Sequence, residues 1–301
     1  MSKTPEGRPT VCSVDLAALR WNLRQIRTKI GPEKKILPMV KANGYGHGAA
    51  AVARALAEEG AHGFGVATVE EALELRQAGI HRPILVVAGA YPNQIDCFIA
   101  HQITAAVHDW AAMKCLDSAA QACGTQLAVH IKIDTGMGRL GFLADELDSW
   151  LPEIQKLTAL KIEGVFSHFS QAESVQGAYT QRQLRTFHDV VARLRSRILP
   201  PPIAHLANSA ATITLPESYF DMVRPGIMLY GAYPSGEMRG QIELRPVMSW
   251  KTRIAQVKKV PPETSVSYGQ TFVTQRESLI ATLPVGYADG YKRLLSNRGE
   301  V

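Results

Sequence analysis

The sequence predicts an α/β protein, a (β/α)8 TIM-like barrel followed by a mostly β C-terminal domain. Three observations carry this expectation. Short, continuous apolar runs alternate with helical patterns through the first three-quarters of the chain, and eight such runs precede residue 235. Apolar strands without polar alternation belong to parallel sheets covered on both faces, and eight β–α repeats favour a closed barrel over an open sheet. Past Ala232-Tyr233-Pro234-Ser235-Gly236 the long helical patterns stop and alternating strand patterns take over. A chain of 301 residues holds one barrel of about 250 and a small addition.

In chain order, Leu16, Leu19, Leu23 and Ile26 keep helical spacing, with Ser13 as candidate cap and Gly31-Pro32 as the stop. The expected strands are Ile36–Val40, Gly63–Ala67, Ile84–Ala88, Ile103–Val107, Leu127–Ile133, Ile162–Phe166 and Ile203–Leu206. The eighth is Met222-Val223 with the nearby Ile227–Tyr230. Helical patterns fall between them at Ala49–Glu59, Val69–Ala78, Trp110–Cys123 and Tyr179–Ile198. The barrel is expected to occupy residues 1–235, with the first residues through Thr10 packing on the β domain, and the β-rich domain residues 236–301. In that domain Met248–Val260 and Ser278–Leu283 read as strands, and the alternation in Thr252–Val260 suggests antiparallel pairing with one wet face.

Composition narrows the function classes. The net charge of +6 is modest and its basic residues are scattered, with no aromatic-interleaved basic stripe, so nucleic acid is not an expected partner. Cys12, Cys97, Cys115 and Cys123 form no C-x-x-C pair and no metal spacing, and read as reduced structural thiols. No metal is expected. No apolar run is long enough for a membrane span, and Met1–Gly7 lacks the apolar core of a signal peptide. The expected compartment is the cytoplasm. A G-x-G-x-x-G signature after the first strand is missing, which gives a Rossmann-type dinucleotide site no support.

The most informative stretch is Lys35-Ile36-Leu37-Pro38-Met39-Val40-Lys41-Ala42-Asn43-Gly44-Tyr45-Gly46-His47-Gly48. An apolar run ends in a lysine, and a glycine-rich loop follows that lets backbone approach a ligand closely. A lone lysine leaving a strand is usually solvated, but an amine at the open end of an apolar strand is also where Schiff-base chemistry becomes available. This stretch resembles the cofactor-lysine motif of alanine racemases, pyridoxal-phosphate enzymes built on a (β/α)8 barrel. Five further segments resemble the family in the same order: the Lys132-Ile133-Asp134-Thr135-Gly136-Met137-Gly138-Arg139 run, Ser167-His168-Phe169-Ser170, Asn208-Ser209 with Arg224-Pro225-Gly226-Ile227, Val266-Ser267-Tyr268-Gly269, and Leu283 to Tyr291. Glu173 stands where the family more often has aspartate.

The resemblance implies a role for each matched position. Lys41 and Tyr268 are the two bases on opposite faces of the substrate's Cα, with Lys41 also carrying pyridoxal 5'-phosphate as a Schiff base. Tyr45, His168, Asn208, Ser209, Arg224, Gly226 and Ile227 hold the cofactor, with the loops after strands seven and eight at its phosphate, the usual phosphate site of this fold. Arg139 faces the cofactor oxygen and substrate carboxylate, Tyr287 lines the entrance, and Lys132 is the candidate carbamylated lysine that anchors Arg139. The Asp134 carboxylate as a partner for Lys132 is the plainer alternative. Arg224 is expected at the pyridine nitrogen, where a side chain that stays protonated donates a hydrogen bond without giving up its proton. Tyrosine and lysine are weak bases near neutrality, with ordinary values of about 10, so each needs roughly 4 kcal/mol of help. Cationic Arg139 and the His168 network are the expected source for Tyr268, and burial the expected source for Lys41.

The implied activity is interconversion of L- and D-alanine for peptidoglycan synthesis, by a homodimer whose partner subunit contributes the tyrosine. Alanine racemases continue through a further stretch of β domain, so the C-terminal domain is expected to be partial. That leaves a catalytically impaired cofactor-binding fragment as an alternative, alongside a broader racemase that also accepts serine and, more distantly, a barrel decarboxylase.

Overall fold

The computed structural model describes residues 7–174, 177–198 and 200–301. Two compact units emerge, Asp15–Val247 and a smaller one made of Met1–Val14 with Met248–Val301.

The larger unit is the barrel. Its strands are β1 (Lys35–Ile36), β2 (Phe64–Val66), β3 (Ile84–Val86), β4 (Thr104–Val107), β5 (Leu127–Asp134), β6 (Leu160–Phe166), β7 (Ile203–His205) and β8 (Met222–Val223). Strands β2 to β7 form consecutive parallel pairs, and β8 pairs with β1. Two sets of contacts close the ring. Met39 bridges Gly65 of β2, and the Asp221 and Arg224 amides donate to the Ala204 and Ala207 carbonyls at 3.0 and 2.9 Å. The helices are α1 (Leu16–Ile30), α2 (Ala49–Glu58), α3 (Val69–Gln77), α4 (Ile95–Ala100), α5 (Trp110–Ala122), α6 (Leu147–Ile154), α7 (Ala178–Arg195) and α8 (Ser209–Thr214). Strand residues such as Phe64, Val66, Ile84, Val129 and Ile131 are fully buried, as parallel strands covered on both faces should be.

Several elements differ from the sequence expectation, each for a local reason. Asp15, not Ser13, caps α1, its carboxylate accepting from the Ala17 and Ala18 amides at 2.8 and 3.0 Å. The first strand is shorter than Ile36–Val40 because Pro38 has no N–H to place in a ladder. Its neighbours keep the pairing, with Leu37 donating to Val223 and Met39 to Pro225, both at 2.9 Å. Ile227–Tyr230 is a 3-10 turn and not a strand. Pro225 ends the β8 ladder there, and the Leu229 amide folds back onto the Gly226 carbonyl at 2.9 Å.

Residues 236–247, expected in the β domain, group with the barrel. Met238, Ile242, Leu244 and Val247 are buried, and the fully buried Asn22 of α1 fixes the segment. Its side chain donates to the Leu229 and Arg245 carbonyls at 2.9 and 2.8 Å and accepts from the Arg245 amide at 2.8 Å. The Arg245 guanidinium lies over the Trp21 ring at 3.7 Å.

The smaller unit consists of three antiparallel pairs: Val11–Val14 with Met248–Lys251, Gln256–Val260 with Ser278–Thr282, and Ser265–Val266 with Phe272–Val273. The strand expected over Met248–Val260 is broken at 252–255. Arg8 pairs with Asp289, and the Thr10 hydroxyl donates to the Pro284 carbonyl at 3.0 Å. Residues 1–6, part of the segment expected to pack on this domain, lie outside the described residues.

Candidate active site

Lys41 ends the apolar run that began at β1, and the chain then makes a left-handed turn. Ala42, Asn43, Gly44 and Tyr45 have φ of 52, 54, 61 and 53°. Glycine takes this conformation freely, but each other residue costs roughly 1–2 kcal/mol. The turn therefore needs external support, and it has several kinds. The Gly44 amide donates to the Val40 carbonyl at 2.8 Å and the Gly48 amide to the Asn43 carbonyl at 2.9 Å. The Asn43 side chain takes the first amide of α2, that of Ala49, at 2.8 Å. The Tyr45 and His47 rings pack on the buried Tyr230 at 5.0 and 4.5 Å.

Lys41 itself is exposed. The burial expected for it is not supplied by the barrel alone.

At the far wall Arg224, fully enclosed, anchors a polar network inside an otherwise apolar barrel. Its guanidinium donates to the carbonyls of His205 and Ser167 at 2.8 and 2.7 Å, to His205 Nδ1 at 2.9 Å and to His168 Nδ1 at 3.3 Å. An arginine only donates, so both imidazoles accept at Nδ1 and carry their proton on Nε2. His205 Nε2 then donates to His130 Nδ1 at 2.8 Å. Burial, with Arg224 second, pulls His130 and His168 down to about 3 and His205 well below its ordinary range. All three are neutral at physiological pH. Burial also draws Arg224 down to about 9, lower than the sequence reading assumed but still charged at neutrality. Gly164 makes room for the His130 ring, since a Cβ there would lie 2.5 Å from Nδ1.

Lys132, at the end of β5, is buried, and its amine lies 5.5 Å from the Phe166 ring centre, with Arg224 at 5.3 Å from the same ring. Burial first, then the Arg139 and Arg224 charges, bring it down to about 8. Its amine is thus partly neutral near pH 7.5. Asp134 is engaged elsewhere: its carboxylate takes the Gly136, Met137, Gly138 and Arg139 amides at 2.8 to 3.1 Å, shaping the loop that carries Arg139. Burial pushes Asp134 up, yet those four amides together outweigh it and hold the carboxyl below its usual range.

Ser209, Gly226 and Tyr45 form a notch at the ends of β7 and β8. The Ser209 hydroxyl accepts from the Gly226 amide at 2.8 Å. Asn208 caps α8, its side-chain oxygen taking the Ala211 amide at 3.0 Å. A Cβ on Gly226 would fall 2.5 Å from the Tyr45 hydroxyl. That ring is held against Tyr230, so Gly226→Ala should push the hydroxyl out of the notch. We expect affinity for a phosphate-bearing ligand to fall about tenfold, read by ligand titration, with a stability loss of about 1–3 kcal/mol from the displaced ring.

One cavity of about 240 Å³ gathers Lys41, Tyr45, Lys132, Arg139, His168, Asn208, Ser209, Arg224, Gly226 and Ile227. Four cations and one carboxylate, Glu173, line it. Tyr268 and Tyr287 belong to the smaller unit, where they are 88% and 60% exposed. His130 and His205 escaped the sequence reading. Their signal was a histidine inside an uninterrupted apolar strand, a buried polar group that must find a partner. Among the described residues no cluster of three or more metal-binding side chains occurs, and no helix is long and apolar enough to cross a membrane.

Fold and cavity together define a parallel barrel with a lysine amine, a buried arginine and a serine hydroxyl gathered at the C-terminal ends of its strands. Family profiles described as alanine racemase, N-terminal domain, and alanine racemase, C-terminal domain, match residues 14–234 and 247–301. The chain belongs to the alanine racemase family of pyridoxal-phosphate-dependent isomerases. It is 44% identical to alanine racemase 2 of Caldanaerobacter subterraneus subsp. tengcongensis over 297 residues, 98% of this chain and 76% of that one. The alanine racemase structure from Streptomyces lavendulae superposes with a TM-score of 0.92 at 38% identity, over 99% of this chain and 78% of that one. Another, from Bacillus anthracis with bound L-Ala-P, does so at 0.85 and 36%, over 97% and 76%. A third, from Bartonella henselae, carries covalently bound pyridoxal phosphate and matches at 0.85 and 29%, over 96% and 79%.

Proposed function

We propose that this chain is an alanine racemase that holds pyridoxal 5'-phosphate in the described cavity and exchanges the Cα proton of alanine between two bases. The observation that carries the proposal is that one cavity is lined together by the exposed Lys41, by Tyr45, Ser209 and Gly226, and by the buried Arg224. The chain's groups fit the cofactor. Gly226 leaves the notch open where a Cβ would fill it, and burial pushes the Tyr45 phenol up so that it remains a donor. Pyridoxal phosphate, when bound, supplies an aldehyde that captures an amine and a ring that withdraws electrons from the adjacent carbon.

In this reading Lys41 anchors the cofactor and serves as one base, and Tyr268 serves as the other. Ser209, the Gly226 and Ile227 amides, Asn208 and Tyr45 hold phosphate. Arg224 keeps its proton while donating, because its charge survives to about pH 9 and proton release at neutrality is unfavourable. His168, neutral and fixed by Arg224, offers its Nε2 proton as a hydrogen bond toward the tyrosine side of the site. Arg139 pairs with the substrate carboxylate, Lys132 is carbamylated to steady Arg139, and Tyr287 lines the entrance.

Tyr268 comes from a second copy in a homodimer. The exposed Leu279 and Leu294 of the smaller unit, at 72% and 84%, support a covered surface there. The product feeds peptidoglycan synthesis. The reading includes a cytoplasmic location, which the four unpaired cysteines support.

The test is incubation with pyridoxal phosphate and L-alanine in deuterated water, with L-serine in parallel. D-alanine carrying deuterium at Cα is the expected product. Deuterium uptake without inversion means that one base is not in place. Cofactor binding with neither product overturns the proposal.

A further inference from the structure

Glu71 lies outside the cavity, at the third position of α3, yet its carboxylate reaches the lysine turn. One oxygen, Oε2, accepts from the Ala67 amide at 2.7 Å and closes a capping box with Thr68. The other, Oε1, accepts from the Ala42 amide at 2.6 Å, 29 positions back in the chain. Ala42 follows Lys41 directly. As the opening amide of a helical turn it has no acceptor within that turn, and the turn is one that Ala42, Asn43 and Tyr45 adopt only under constraint. Glu71 therefore ties the start of the turn to the loop that follows β2. Met39 and Gly65, which bridge the same two strand ends, form the other half of this brace.

We propose that Glu71 is a positioning residue for Lys41: it holds the Ala42 amide and so fixes the left-handed turn that presents the amine at the cavity. The proposal rests on Lys41 being the cofactor lysine, but its structural half is independent of that reading. The chemistry favours a carboxylate in particular. Three amides approach it, those of Ala67 and Thr68 at one oxygen and that of Ala42 at the other. Glutamine offers a single acceptor, and its NH2 would face the remaining N–H.

The experiment compares the wild-type chain with Glu71→Ala, Glu71→Gln and Thr68→Ala. Amide hydrogen exchange is first measured on the cofactor-free protein. Glu71→Ala should speed exchange across residues 41–46 at least about tenfold and Glu71→Gln by less, while Thr68→Ala alters only the start of α3. Pyridoxal phosphate is then added, and its attachment to Lys41 is trapped with borohydride over time. Attachment should slow at least about tenfold in Glu71→Ala and stay at the wild-type rate in Thr68→Ala. If residues 41–46 exchange alike in Glu71→Ala and Thr68→Ala, the brace does not exist. If exchange rises but attachment keeps its rate, Glu71 supports the fold without positioning Lys41. Should the wild type attach cofactor but fail to racemise alanine, the functional reading fails while both Glu71 comparisons still stand.

Discussion

Lys41→Ala should lower D-alanine formation by at least about a thousandfold and leave the fold intact. The size follows from the two tasks assigned to one side chain. A positioned general base alone contributes about 10²- to 10⁴-fold, and the same amine is the anchor that keeps the cofactor in register with Arg224 and the phosphate notch. The small effect on stability follows from its surroundings. Lys41 is exposed, and its side chain forms no hydrogen bond with any described residue, so truncation strands no partner. Stability should stay within about 0.5 kcal/mol of wild type. The check is a D-alanine assay beside thermal unfolding of the cofactor-free protein, with a small primary amine added to the variant. Partial rescue by the amine is expected. Retention of activity within about tenfold of wild type would remove Lys41 from the chemistry.

The barrel was readable because parallel strands announce themselves as uninterrupted apolar runs, and Phe64–Val66, Ile84–Val86 and Leu127–Ile133 needed no tertiary information to be found. Lys41, Arg139 and Ser209 stood out because glycines or polar groups follow directly on such runs, where a barrel opens. Other features depend on contacts distant in sequence. Ala42 and Tyr45 do not signal a left-handed turn, since neither favours it; the turn exists because Glu71, Asn43 and Tyr230 hold it. Glu71 reads as an ordinary first-turn acid of a helix, and half of its role is that. Residues 236–247 look like the start of the β domain until Asn22, more than 200 positions earlier, is seen to bind Arg245. Ile227–Tyr230 is apolar enough for a strand, and only the missing amide of Pro225 and the return of Leu229 to Gly226 decide otherwise.

Acidification should unfold this protein well above the pH at which its carboxylates titrate. His130, His168 and His205 are all held below the ordinary histidine value, the first two at about 3, by burial and then by Arg224. The unfolded chain takes up these protons near pH 6.5 and the folded one does not. Stability is therefore complete above about 6.5 and falls as the pH drops toward 3, by up to about 1.4 kcal/mol per pH unit for each histidine. At pH 5.5 the three together would remove roughly 4 kcal/mol, a large part of an ordinary folding free energy of about 5–15 kcal/mol. Lys132 and Arg224 stay charged throughout this window and add no slope. Asp134 acts later: its contribution is present above the ordinary carboxyl value and is lost only as the pH falls below it. The measurement is the thermal midpoint of the cofactor-free protein from pH 8 to 5, for wild type and for His130→Gln with His205→Asn. The double variant should start lower at pH 8, because the network under Arg224 is broken. Its dependence on pH should nevertheless be much less steep, since His168 alone of the network, with His62, which burial also lowers, still resists protonation. The slope, not the starting stability, distinguishes a titrating network from mere packing. An unchanged slope in the double variant would mean that the acid sensitivity originates outside the His130–His205 pair.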